Sequence, residues 1–164
     1  MKRALAVCLF AALAACVTVP RANPRDFSSL KEFEAGGLKL KLPSGFKRFA
    51  EGNAVMFRPE PPVRPSPGVE VVRDENLAPS MALGRAYDKI STKMGGFPVP
   101  IKAKIAGRDV NGLHDQLVTH FIWVYVIPGD KVVWTLEIAV PVEWTDDQAV
   151  SFHDMVLANV RLPE

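Results

Sequence analysis

Cysteine is nearly absent from this 164-residue sequence. The two that occur, Cys8 and Cys16, lie within the first sixteen residues. The rest of the chain therefore has no disulfide, no thiolate metal site and no cysteine nucleophile, and must hold its fold by packing. Histidine is scarce too: His114, His120 and His153 are the only three. No HExxH, CxxC or GxSxG pattern occurs, so the common zinc and serine-hydrolase signatures are missing. No stretch reaches the roughly 20 apolar residues that a spanning helix needs. The longest uncharged window, residues 4–20, has seventeen residues and closes on Pro20. Neither sign of charge dominates, with 20 Lys and Arg against 18 Asp and Glu. No basic stripe points to nucleic acid and no acidic block to cations.

What is present begins with an export segment. Lys2 and Arg3 precede twelve uncharged, mostly apolar residues that end on small side chains. That is the build of a secretory signal peptide, residues 1–15. Leu13-Ala14-Ala15-Cys16 resembles the bacterial lipobox. The resemblance implies diacylglycerol on the Cys16 thiol, cleavage before Cys16 and acylation of the new N-terminus. Small side chains at 14 and 15 admit the backbone to a narrow protease cleft. Ordinary cleavage after Ala14 is the alternative, and it leaves an odd lone thiol in an oxidising compartment. Two or three acyl chains anchor durably where one does not. Val17 follows the cysteine, and the lack of aspartate there leans toward the outer membrane. The expectation is a domain of residues 25–164 on a lipidated tether, 16–24, facing the periplasm. Without Lys2 and Arg3 the 18 basic and 18 acidic residues of the mature chain balance.

Residues 24–33, PRDFSSLKEF, place Phe27, Leu30 and Phe33 at helical spacing and predict a short helix. LKLKL at 38–42 alternates as a half-buried strand. Short strands follow at 54–58 and 69–73. Between them PEPPVRPSPG carries five prolines in ten residues, an extended loop that cannot pair inside a sheet. Residues 79–94 put Leu83, Ala86, Tyr87, Ile90 and Met94 on one helical face, with Ser80 or Asn76 near the cap. Ile101, Ala103 and Ile105 alternate with lysines, and DVNG at 109–112 predicts a turn. A long strand, 113–127, returns through PGD as 132–140, with Val132, Trp134, Leu136, Ile138 and Val140 on one face. Finally Thr145 and Gln148 form a capping box, Trp144 and Ala149 a staple, and the helix presents Ala149, Phe152, Val156 and Val160.

The order helix, three strands, helix, three strands, helix predicts an α+β fold. The expected architecture is an α/β/α sandwich, a mainly antiparallel six-stranded sheet flanked by helices. LKLKLPSGF, LGRAYDKIS, IAGRDVNGL, VVWTLEIAVPVEW and DDQAVSFHDMVLANVRL together resemble the PsbP/DcrB-like superfamily over residues 38–162. The resemblance implies that sandwich and a range of mostly binding roles: photosystem subunit stabilisation, a small-GTPase partner, envelope lipoproteins.

No reaction is legible. His114 and His120, six apart in the expected long strand, stand about 20 Å apart and cannot share a metal. Asp115 points away from His114, so the two make no dyad. No metal, cofactor or nucleic acid is expected, and no enzyme. A protein partner is expected, with Phe121, Trp123 and Tyr125 on one strand face and Arg64 in the proline loop as its contacts, because aromatic and arginine side chains dominate binding hot spots. An immunity protein against a toxin delivered to the periplasm by type VI secretion is a narrower form of the same role. A carrier of a small apolar ligand is the alternative of another class.

Overall fold

The computed structural model describes residues 25–60 and 64–163. Cys16, the signal peptide and the tether lie outside them. Nine strands and two helices follow in the order β1 (Leu30–Ala35), β2 (Leu38–Pro43), β3 (Phe46–Glu51), β4 (Ala54–Pro59), β5 (Gly68–Glu75), α1 (Pro79–Asp88), β6 (Val99–Ile105), β7 (Arg108–Gln116), β8 (His120–Pro128), β9 (Val132–Pro141) and α2 (Asp146–Ala158). A π turn, Lys89–Lys93, extends α1. The fold is α+β, with a larger sheet than the six strands expected. Seven antiparallel strands run β3-β4-β5-β9-β8-β7-β6, and β1-β2 form a separate hairpin.

Four expectations are corrected. The N-terminal helix is instead β1, paired with β2 from Leu30↔Pro43 to Ala35↔Leu38. Cross-strand pairing overrides the helical spacing, and Phe33 packs on Phe57 with ring centroids 5.1 Å apart. The long strand at 113–127 is two strands. They turn at Leu117–Thr119, where the Leu117 amide donates to the His120 carbonyl at 2.8 Å. That turn has none of the usual turn residues, so nothing in the sequence marks it. Asp109–Gly112 lie inside β7. The turn before it falls at Ala106 and Gly107, both with positive φ, 50° and 80°. Within α1 the N-cap is Ala78 without a side-chain bond, so neither Ser80 nor Asn76 caps it.

Two faces of the sheet are covered unequally. On one, the β1-β2 hairpin and α2 bury Leu38, Leu40, Leu42, Phe46, Phe57, Leu136, Ile138, Phe152 and Val156 as one core. α2 begins as expected: Thr145 Oγ1 accepts from the Gln148 amide, and Gln148 Oε1 accepts from the Thr145 amide. On the other face α1 and its π turn bury Ala82, Ala86 and Ile90 against Leu113, Val124, Val126 and Val133. They cover β7, β8 and β9 only.

Candidate functional site

The strands that α1 leaves bare define the site. In register across the sheet, Lys47 faces Arg58, Phe49 faces Met56, Met56 faces Glu70, Glu70 faces Glu137 and Glu137 faces Val124. These side chains share one face because strand side chains alternate. Val124 lies under α1. Phe49, at the far edge, is 52% exposed. The bare part forms two adjoining grooves of about 500 and 610 Å³, and Met56, Arg58 and Glu70 line both. Met94, Val118 and Ile122 complete the first, and Phe49 and Arg64 the second.

A charged triad separates the grooves from α1. Lys89 Nζ lies 2.7 Å from Glu137 and 3.1 Å from Glu70. Burial pulls its ammonium pKa down, but the two carboxylates outweigh that and hold it above its ordinary value. The lysine satisfies both carboxylates. Arg58 and Arg64, by contrast, have no hydrogen-bond or ion-pair partner among the described residues.

The expected contact residues are divided between the two faces. Arg64 stands on the groove. Phe121, Trp123 and Tyr125 lie on the opposite face, toward α2, in register with Val140, Ile138 and Leu136. Tyr125 is only 2% exposed, while Phe121 and Trp123 are half-buried. An exposed aromatic face does not exist there. His114 and His120 sit on neighbouring strands rather than one. His120 bonds the Ser66 carbonyl at 3.0 Å and so pins the proline loop to β8.

One polar chain had no signal in the sequence. Asp154 Oδ1 lies 2.8 Å from His153 Nδ1, and His153 Nε2 lies 2.7 Å from Tyr125 Oη. A single tautomer satisfies both contacts: Nδ1–H donates to Asp154 and Nε2 accepts from the phenol. Burial holds His153 below its ordinary pKa against the pull of Asp154. Burial, with Asp154, pushes Tyr125 up to about 12. A phenol so enclosed and so weakly acidic cannot reach or attack an outside substrate. Among the described residues no group of three or more His, Cys, Asp or Glu converges as a metal site.

No protein-family model and no curated protein matches the chain. Solved structures do. Cyanobacterial PsbP (CyanoP) from Synechocystis sp. PCC 6803 superposes with a TM-score of 0.63 at 14% identity, over 92% of this chain and 98% of that one. The fold is PsbP-like. LpqN of Mycobacterium tuberculosis, a protein involved in cell envelope biogenesis, gives 0.55 at 12% identity over 83% of this chain and 91% of that one. PA94 of Pseudomonas aeruginosa, of unknown function, gives 0.51 at 12%, over 82% and 99%. No helix among the described residues is long and apolar enough to cross a membrane.

Proposed function

We propose that the chain is a non-catalytic envelope lipoprotein whose acylated Cys16 holds the domain on the periplasmic side of a membrane, the outer one by the residue at 17. The bare half of the sheet receives a protein partner. The lipobox-like LAAC supports the anchor, and the involvement of LpqN in cell envelope biogenesis is compatible with that location. The observation that carries the binding role is the apolar floor of Phe49 and Met56 beside two guanidinia, Arg58 and Arg64, that have no partner among the described residues. Guanidinium forks engage carboxylates in two-point contacts, so the partner segment that fits presents acidic side chains next to apolar ones.

Two measurements test this. Metabolic palmitate label should enter the wild type and not Cys16→Ser; label in neither, or in both, removes the anchor. A photo-crosslinker at Met56 should give one discrete protein adduct in cells, lost with Arg58→Glu/Arg64→Glu. An adduct indifferent to the arginines, or none at all, removes the docking site. The groove volumes also fall within the range of small-ligand sites, about 300–1,000 Å³. A co-purifying apolar molecule in place of a protein adduct would favour the carrier reading.

A further inference from the structure

Large apolar side chains crowd one corner of the domain. Phe97 is 87% exposed, Val118 95% and Val99 60%, and Met94 is exposed beside them. They come from two stretches, 94–99 (MGGFPV) and 117–119 (LVT), and neither holds a charged residue. The fold brings the stretches together. Met94 and Val118 line the same groove. A methyl placed on Gly96 would come within 2.8 Å of the Leu117 side chain, so the two stretches pack together, with the buried Asp115 carboxylate beneath them. Val99 pairs with His114 at the start of β6, which carries Phe97 alongside the end of β7. Single exposed apolar residues are ordinary, but a cluster free of charge marks a contact surface.

The position of the corner says what covers it. Val118 caps the turn between β7 and β8. From there the Thr119 carbonyl accepts from the Val142 amide at 3.1 Å, and the Trp144 amide donates to Pro141 at 3.1 Å. The Arg25 guanidinium lies 5.2 Å from the Trp144 ring. The corner and the first described residue are thus at the same end of the sheet. Arg25 stands nine residues after Cys16. Those nine residues span at most about 30 Å fully extended. The opposite end, at the β8-β9 turn, lies about another 30 Å away along β9. A bilayer anchor at Cys16 is therefore tied to the corner's end of the sheet, with the far end a further length of β9 away.

We propose that Phe97, Val118, Val99 and Met94 dip into the interface of the bilayer that carries the lipid anchor, fixing the domain's orientation on the membrane. This rests on the anchor read at Cys16. Large apolar side chains exposed at a surface partition into that zone. A short tether adds to an affinity for the interface that these side chains have of their own.

The described residues bury a continuous core of their own, which the chain from residue 17 onward keeps without leader or lipid. That chain also lacks cysteine, and a single engineered thiol can report position. An environment-sensitive dye on Val118→Cys should shift to the blue with phosphatidylcholine vesicles and with phosphatidylethanolamine–phosphatidylglycerol vesicles alike. The same dye on Lys131→Cys, at the far end, should not shift. Co-sedimentation with either vesicle should fall about tenfold or more in Phe97→Ser/Val118→Ser, on the scale of one apolar side chain's burial, with the unfolding midpoint unchanged. A silent dye at 118, an equal shift at 131, or sedimentation unaffected by the double substitution overturns the proposal. So does a dimer, seen by sedimentation velocity, that the double substitution dissolves, because a second copy then covers the corner. Palmitate labelling of the full chain reads the anchor separately. An anchored protein with a silent corner refutes this inference alone.

Discussion

Replacing Tyr125 by phenylalanine removes one oxygen from the middle of the β8-α2 contact. That oxygen lies 2.7 Å from His153 Nε2 at a residue 2% exposed. A net hydrogen bond contributes about 0.5–1.5 kcal/mol, and a polar atom left buried without a partner costs about 1–3. His153 is partly shielded rather than sealed, so the expected loss near neutral pH is about 1–2 kcal/mol. The bond exists only while Nε2 is unprotonated. Burial, the largest influence, already holds His153 below its usual 6.5, and Asp154 opposes that. His114 is held below 6.5 in the same way, by burial first, with Asp115 pulling up and His153 adding to the depression. On acidification the unfolded chain therefore takes up these protons before the folded one does. Stability from both histidines is whole above about pH 6.5 and drains as the pH falls below it.

The two effects combine in one assay. Trp123 is the nearest reporter, stacked with His114 at 5.0 Å and tilted against His153 at 4.8 Å. Urea unfolding followed by tryptophan fluorescence should show the Tyr125→Phe deficit at about pH 7.5, and the deficit should shrink at a second, acid pH below the depressed pKa of His153, where protonation takes the bond from wild type as well. Asp154→Asn should act in the opposite sense. Without the carboxylate, His153 is depressed further and the acid-induced loss of stability grows. A deficit equal at both pH values, or under a few tenths of a kcal/mol, would refute the hydrogen-bonded neutral imidazole on which the structural role of this chain rests.

Other perturbations probe separate joints. Thr145→Ala removes the capping box of α2 and should cost about 0.5–2 kcal/mol, read as a lowered Tm by circular dichroism. Gly112→Ala places a methyl 2.4 Å from the Val124 carbonyl oxygen and 2.8 Å from the Tyr125 ring, so it should cost about 1–3 kcal/mol in urea; a neutral outcome means that β7 and β8 are not in this register. Lys89→Met leaves Glu70 and Glu137 facing each other and should cost about 1–2 kcal/mol, discounted for the 38% exposure of the lysine side chain. Adding Glu70→Gln and Glu137→Gln to it should recover most of that loss.

Much of the architecture was legible because local signals and tertiary demands coincided. The capping box at Thr145, the strict alternation of β2 and the inward row of β9 each bury the residues that their period predicts. The failures share a cause. β3, with the sequence FKRFAE, is an edge strand exposed after Phe46, so it has no alternation to read. β1 carries Leu30 and Phe33 at a spacing that fits a helix, and only its partner β2, three to thirteen residues on, makes it a strand. The turn at Leu117–Thr119 lacks every common turn residue, and its exposed Val118 reads in sequence as one more buried position of a strand.

The same reasoning explains why the site was only half visible. Arg64 drew notice as an arginine in a rigid loop, and the structure puts it on the groove. Phe121, Trp123 and Tyr125 drew notice as aromatics, yet aromatics at period two fill a core as readily as they line an exposed face, and here α2 lies over them. What decides the matter is the reach of α1, ten residues and one π turn. That length covers three strands of a seven-stranded sheet and stops. Helix length is readable from periodicity. Strand order is not, because β5 joins β9 across sixty residues of chain, and only that pairing sets Glu70 beside Glu137 and leaves β3, β4 and β5 on the uncovered side. A groove made by an absence of cover leaves no motif in the residues that line it. The sequence-level clue that remains is Met56, Glu70 and Val72, outward positions too apolar for a solvated face and too polar for a core.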